Sequence, residues 1–275
     1  MVKPTGRRGV PRGPPNPGSL PTDAAVRGGT PGSAAAYPDR VPTSPTPVPA
    51  VATVAVLLAA GAGTRLGRGP KALLPHRGGT LVAHVTRVLL AGGCDIVVVV
   101  LGAEAERVRA GSGIDDPRVR IVDNPGWSSG MASSLRVGVV AALDLAPARV
   151  VVAHVDQPGV VPDDVARLLA AHRPGRVTAS RWTTSPARRA RHEGRSEAEN
   201  DPQVVFGVGR TPRWAHPLVL DAALAAPAAA SAHGDHGARD FLRTHADLID
   251  VVDHAGDGRD LDTDADLDLL DPADR

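Results

Sequence analysis

The chain is poor in several residue types, and each shortage excludes something. One cysteine, Cys94, stands among 275 residues, which rules out an internal disulfide framework and any multi-cysteine zinc or iron–sulfur site. Aromatic residues are scarce: two Phe, three Trp and one Tyr. Proteins that grip single-stranded nucleic acid stack bases on aromatic faces, and this chain has too few to build such a platform. Neither sign of charge dominates, with 31 basic against 30 acidic residues and a net charge of +1. That balance excludes a whole-domain electrostatic hold on duplex DNA, so no nucleic-acid partner is expected. No apolar run approaches the roughly 18–20 residues that span a bilayer, and no continuous apolar stretch near the start reads as a secretory signal. The expectation is a soluble, cytoplasmic protein with no membrane partner. Lysine is the rarest charge: only Lys3 and Lys71 occur, against 29 arginines. GC-rich coding bias accounts for the arginines, together with the abundant Ala, Gly, Pro and Val. Lys71 is therefore the only lysine in the part of the chain that reads as folded.

What is present divides the chain. Residues 1–50 hold 12 of the 26 prolines and almost no periodic apolar pattern. Such a segment buries too little apolar surface to offset its ordering entropy, and disorder is expected there. From about residue 51 to 275 the texture is that of one folded domain. Residues 183–203 interrupt it with four Arg, one His and four acidic residues, and they read as a solvated loop insertion. Continuous apolar runs at Val51–Leu58, Asp95–Leu101 and Arg149–Val155 predict buried strands, with a further strand at 119–123. Helical spacing marks 80–91, 104–110, 130–143 and 162–172. Uninterrupted apolar strands alternating with helices imply a mostly parallel sheet covered on both faces. The fold class is α/β, a Rossmann-like, doubly wound sandwich.

Ligands of such sheets bind outside the carboxyl ends of the strands, where Leu58-Ala59-Ala60-Gly61-Ala62-Gly63-Thr64-Arg65 follows the first strand. Gly61 and Gly63 allow backbone N–H groups to face phosphate oxygens. Arg65 offers a bidentate fork and Lys71 a point charge. The dinucleotide fingerprint does not fit, because the third glycine, Gly67, comes one residue late. The Walker pattern does not fit either, because Pro70-Lys71-Ala72 replaces its Gly-Lys-Ser/Thr. On spacing alone a tight strand–helix turn with incidental basic residues remains open. A second feature is Asp156, which closes the run Val150–Val155. A carboxylate there is placed to hold Mg²⁺, which takes one or two carboxylates together with substrate phosphates and water. The plainer alternative is a turn or N-cap aspartate before Pro158. The histidines show no H-x-x-x-H spacing on one helix, and G-x-S-x-G is absent, so neither zinc nor serine hydrolase chemistry is expected.

Six phrases spread along the chain then carry a resemblance. Leu58-Ala59-Ala60-Gly61, Arg65-Leu66-Gly67 and Pro70-Lys71-Ala72-Leu73-Leu74-Pro75 resemble the signature of nucleotidyltransferases of the molybdenum cofactor type, with Leu66 for the frequent Met and one extra residue before Lys71. Asp156-Gln157-Pro158 is similar to that family's metal-binding motif. Asn124, Gly130, Met131 and Ser134 match a phrase that accompanies cytidine selection in the family. Ala215-His216-Pro217 and Gly234-Asp235-His236-Gly237-Ala238-Arg239 resemble acceptor-side phrases, with Ala215 replacing a glycine. The closing Asp260-Leu261-Asp262-Thr263 resembles a segment whose middle aspartate completes the metal shell in related transferases. The resemblance covers about residues 53–271. It implies a Mg²⁺-dependent molybdenum cofactor cytidylyltransferase, moving CMP from CTP to a molybdopterin-type phosphate with release of pyrophosphate, and a molybdoenzyme as client. By the same token Arg65 and Lys71 would neutralise the triphosphate and amides around Gly61 to Thr64 would cradle it. Asp156 and Asp262 would hold the metal, and His216, Asp235 and Arg239 would meet the acceptor. Local alternatives stay open: Thr263 as a helix cap, His216 as a structural hydrogen-bonder, and an Asp235–Arg239 pair. Rival functions are a transferase of the same fold acting on a sugar phosphate or other phosphorylated acceptor, and a non-catalytic cofactor-binding chaperone, against which Asp156 speaks. A nicotinamide- or flavin-dependent oxidoreductase is disfavoured by the late third glycine and by Leu101-Gly102, where a ribose-binding acid would stand.

Overall fold

The computed structural model describes residues 51–183, 214–256 and 258–270. The proline-rich segment 1–50 and residues 184–203 of the expected insertion lie outside the described residues. Thr183, read as the first residue of that insertion, instead ends a strand.

Strands β1 (Thr53–Leu58), β4 (Ile96–Leu101), β5 (Val119–Asp123) and β6 (Arg149–His154) occupy the predicted apolar runs within a residue or two. A short hairpin, β2 (Pro75–His76) with β3 (Gly79–Thr80), precedes the first helix. The main sheet has seven strands in the order β5-β4-β1-β6-β8-β7-β9, completed by β7 (Val177–Thr183), β8 (Ala215–Asp221) and β9 (Ile249–Ala255). Within it β4–β5, β1–β4, β1–β6 and β7–β9 pair parallel, whereas β8 runs antiparallel to both β6 and β7. The sheet is mostly parallel and covered by helices, as the sequence pattern implies.

Side chains alternate across a strand, so a strand covered on both faces reads as a continuous apolar run. In β1, Ala55 and Leu57 join one core, with Val97 and Val99 of β4 beside them. Val54, Val56 and Leu58 join the other, with Val98 and Val100. The first core receives helices α1 (Leu81–Ala91) and α4 (Pro162–Ala171). The second receives α3 (Met131–Leu143), α5 (Ala222–Ser231) and α6 (Arg239–Thr244). Helix α2 (Ala105–Gly111) buries Val108 against the first core. Each fully buried Val or Leu contributes about 1.5–3 kcal/mol, so these two layers hold the sheet edge rigid beneath the loops.

Local chemistry fixes the helix starts. Thr80 Oγ1 accepts from Ala83 N at 3.3 Å and caps α1. Pro162 opens α4, and Asp164 Oδ2 accepts from Val161 N at 3.1 Å. Asp164 also meets His254 Nδ1 of β9 at 3.0 Å, tying α4 to the far edge of the sheet. Asp221 Oδ1 accepts from Ala223 N at 2.9 Å and caps α5.

Candidate active site

The cleft lies at the carboxyl ends of β1, β4 and β6, and its volume is about 500 Å³, a size suited to a small-molecule ligand. The loops leaving these strands stay in register beyond the sheet. Ala59 N donates to Val100 O at 3.0 Å, Ala103 N to Ala60 O at 2.9 Å and Val155 N to Leu58 O at 3.1 Å. Leu58, Ala60, Gly61, Gly63, Thr64 and Arg65 line the cleft, whereas Ala59 faces the core at 2% exposure. The glycine loop is compact. Gly63 has φ +66°, and a Cβ there would stand 2.1 Å from the carbonyl oxygen of Gly69. Only glycine meets both demands. Leu66 is buried below the loop and pins it to the core.

Past the loop, Lys71–Leu73 form one 3-10 turn. Ala72 and Leu74 are buried, and the intervening geometry sends Lys71 into the cleft. Its ammonium lies 2.9 Å from Asp156 Oδ2 and 2.5 Å from Asp262 Oδ1, while Arg65 Nη1 stands 3.4 Å from Asp262 Oδ2. Burial alone would lower the Lys71 pKa, but Asp156 and Asp262 outweigh it and raise it above the ordinary lysine value. The lysine is charged.

The two carboxylates come from distant parts of the chain, and a backbone bond joins those parts. Leu261 N donates to Asp156 O at 2.8 Å, and the Leu261 side chain is fully buried. This anchors the segment that carries Asp260 and Asp262. Asp260 Oδ1 is buried with no hydrogen-bond partner among the described residues. Burial, reinforced by Asp156 and Asp262, pushes the Asp260 carboxyl up to about 7. Beyond Asp262, Thr263 N and Oγ1 both donate to Asp266 Oδ2 at 2.9 Å, so Thr263 opens a short 3-10 helix at Asp264–Leu269.

Among the described residues no three or more His, Cys, Asp or Glu side chains form a group that holds a metal by themselves. Asp156 and Asp262 nonetheless share one cation, the Lys71 ammonium. Two carboxylates completed by substrate phosphates and water suit a hard divalent ion. The donor set fits.

The phrase at 124–134 has an internal use. Asn124 is buried, and its Nδ2 donates to Ser133 Oγ at 2.8 Å and Ser134 Oγ at 3.0 Å, while its Oδ1 accepts from Gly126 N at 3.0 Å. Asn124 thus shapes the cleft wall from behind, and Gly130, Met131 and Ser134 line the cleft itself. Gly130 has φ +110°, and a Cβ there would stand 2.5 Å from the Gly234 carbonyl carbon. Across that contact Ala132 N donates to Gly234 O at 2.9 Å and Met131 N to Asp235 Oδ1 at 3.1 Å. Asp235 therefore caps α3 and lines the cleft, where a pairing with Arg239 was one expectation. Arg239 is exposed at the start of α6.

The acceptor-side histidine sits one layer back. His216 opens β8, whose reversed direction brings its first residues to the edge where β6 ends. Its ring stacks on His154 at 4.0 Å between centroids, and His154 lines the cleft. Burial lowers both pKa values, with His154 and Arg239 adding to the effect on His216, so both rings are neutral.

Three site residues escape sequence reading: Trp127, His154 and Asp260. Trp127 lines the cleft, and the absence of a side chain at Gly102 makes room for it, since a Cβ there would stand 2.5 Å from Trp127 Cβ. A tryptophan in so aromatic-poor a chain is the one signal that pointed to it.

The comparisons with known proteins show the family of this chain. Residues 55–248 match the model of the MobA-like NTP transferase domain. The chain is 44% identical over 210 residues to nicotine blue oxidoreductase of Paenarthrobacter nicotinovorans, covering 76% of this chain and 91% of that protein. Among solved structures, Rv0371c of Mycobacterium tuberculosis H37Rv superposes with a TM-score of 0.61 at 25% identity, covering 80% of this chain and 98% of that one. A nucleotidyl transferase of Methanothermobacter thermautotroptrophicus gives the same TM-score, 0.61, at 23% identity, covering 80% and 97%. A manganese complex of Rv0371c is also similar, at a TM-score of 0.58 and 23% identity, covering 81% of this chain and 100% of that one. The chain belongs to the MobA-like NTP transferase domain family and is an enzyme of that nucleotidyltransferase family.

Proposed function

We propose that this enzyme is a divalent-metal-dependent cytidylyltransferase that moves CMP from CTP to the terminal phosphate of a molybdopterin-type acceptor. The observation that carries this is the meeting, at one sheet edge, of the glycine loop, Lys71, and the Asp156–Asp262 pair. An oxygen of the acceptor phosphate attacks the α-phosphorus, and the bond to the bridging oxygen of the β-phosphate breaks. Pyrophosphate leaves with that electron pair. The attacking oxygen is already anionic, so no strong general base is required; alignment and charge neutralisation lower the barrier.

In this reading backbone amides from Gly61 to Thr64 bind phosphate oxygens, while Lys71 and Arg65 neutralise the triphosphate. Asp156 and Asp262 would hold Mg²⁺, which would supply charge neutralisation and orientation to the phosphates. The manganese complex of the structural neighbour supports a divalent ion here. Ser134 and the Met131 side chain face the base, and Asn124 holds Ser134 in place. His154, backed by the stacked His216 with Arg239 beyond it, faces the acceptor and excludes water from it. The supply of finished cofactor to a molybdoenzyme client follows from the same reading.

The relative at 44% identity favours a second reading, an oxidoreductase acting on a nicotine blue-type pigment in the same cleft. Trp127, Met131 and the histidine stack would then serve a planar ring. Two assays on one preparation separate the readings. Pyrophosphate release is measured with each nucleoside triphosphate, with and without molybdenum-loaded molybdopterin; pigment decolorisation is measured with a reduced nicotinamide nucleotide. Pyrophosphate formed with CTP and the acceptor, without decolorisation, is the expected result. Preference for GTP overturns the base assignment, indifference to the pterin overturns the acceptor, and decolorisation without pyrophosphate establishes the second reading.

A further inference from the structure

Lys71 has two positions to serve but occupies one. In the nucleotidyltransferase reading its ammonium neutralises a triphosphate, yet in this structure it bridges Asp156 and Asp262 at 2.9 and 2.5 Å. Those are the carboxylates through which a metal would be held. An ammonium and a divalent ion repel each other and cannot share the same inner oxygens.

We propose that Lys71 is a resident placeholder for the divalent cation, released only when a nucleotide offers its ammonium a new partner. Metal and nucleotide then bind as a pair, and neither binds well alone. The inference rests on the transferase reading of the cleft and adds an order of events to it.

Three observations support it. The site holds paired negative charge, since Asp156 and Asp262 both meet the one ammonium. Two carboxylates this close require a cation between them, and the folded chain keeps its own. The lysine is free to leave, because the backbone on either side is pinned by buried Pro70 and Ala72 while the four-carbon stem turns about its own bonds. A destination exists in the same cleft, since Gly61 and Gly63 line it with Lys71. Arg65 reaches Asp262 from the rim with a largely exposed side chain, so it can follow the phosphates as well.

The test is a Mn²⁺ titration of the full chain, following free Mn²⁺ by electron paramagnetic resonance, with and without a non-hydrolysable CTP analogue. Wild type is expected to bind Mn²⁺ weakly alone and about tenfold or more tightly with the analogue. Lys71→Met is expected to bind Mn²⁺ without nucleotide about tenfold more tightly than wild type, because the competing cation is gone. Arg68→Ala removes a positive charge held by Asp264 at the rim and is the control for general electrostatics, with a change of about twofold or less expected. Adding Asp262→Asn to Lys71→Met should return the affinity to the wild-type level, and Lys71→Gln substitutes should Lys71→Met fail to fold. Lys71 variants that bind nucleotide-free Mn²⁺ no more tightly than wild type overturn the placeholder. If GTP rather than CTP tightens Mn²⁺ binding while Lys71→Met still gains affinity, the base assignment falls and the placeholder stands.

Discussion

Lysine and arginine differ where space is limited, and Lys71 sits in such a place: its side chain is 14% exposed between two carboxylates. A guanidinium is planar and broad, whereas an ammonium is a compact point charge. Lys71→Arg should therefore lower turnover about tenfold or more even though the charge is kept, because the fork cannot enter and leave the space between Asp156 and Asp262 as the ammonium does. Steady-state pyrophosphate release checks this, and a silent Lys71→Arg would mean that arginine-rich composition alone explains the residue. Asp156→Asn keeps the shape and removes the charge, and it should lower turnover about a hundredfold or more with the melting temperature little changed. These two residues were visible in the sequence, one as the sole lysine of the folded part and one as a carboxylate closing an apolar run. Trp127 and His154 were not, because their exposure to the cleft depends on register and on the turn at Asn124. Nor was the inward turn of Asn124, whose hydrogen bonds to Ser133 and Ser134 join residues 9 and 10 positions away.

At the scale of elements, the glycine loop and the sheet edge invite separate tests. Gly63→Ala places a methyl group 2.1 Å from the Gly69 carbonyl at a φ of +66°. The loop must reopen at a cost on the order of 1–3 kcal/mol, so nucleotide affinity should fall about tenfold while the rest of the fold, measured by circular dichroism, stays native. The far edge is held differently. Asp250 of β9 accepts from Arg173 Nη2 at 2.8 Å and from Arg176 Nη2 at 2.8 Å, and these arginines hold its carboxyl down to about 2. A depressed aspartate contributes stability that is present above its unfolded value, near 4, and is lost as the pH falls through about 2. Asp250→Asn should thus melt lower than wild type at pH 7, and the two should converge near pH 2. The parallel strands β1, β4 and β6 were legible because burial on both faces leaves an unbroken apolar run. β8 was hidden by His216-Pro217 at its start, and β9 by the polar Asp250, Asp253 and His254 that break up its short apolar stretches and by a partner strand about 70 residues away.

For the whole molecule, one thiol reports on the integrity of the layers. Cys94 is buried between α1 and β4, and burial pushes its pKa up to about 12. The thiolate is the reactive form, so Cys94 should resist a disulfide reagent at pH 8 in the native state and react at the rate of global opening in denaturant. A fast native reaction would contradict the packing of α1. The same layers also set a schedule. The glycine loop stands at residues 61–71, whereas Leu261, which plugs the core, and Asp262, which closes the cation pair, come near the end of the described chain. Synthesis at about 5–20 residues per second places the second carboxylate roughly ten to forty seconds behind the first phosphate-facing glycine. Chains ending at residue 256 should release no pyrophosphate, because Asp156 would face the cleft without its partner. An unfinished molecule would then hold a cradle for nucleotide without the second carboxylate, so catalysis waits on the segment that carries Asp262.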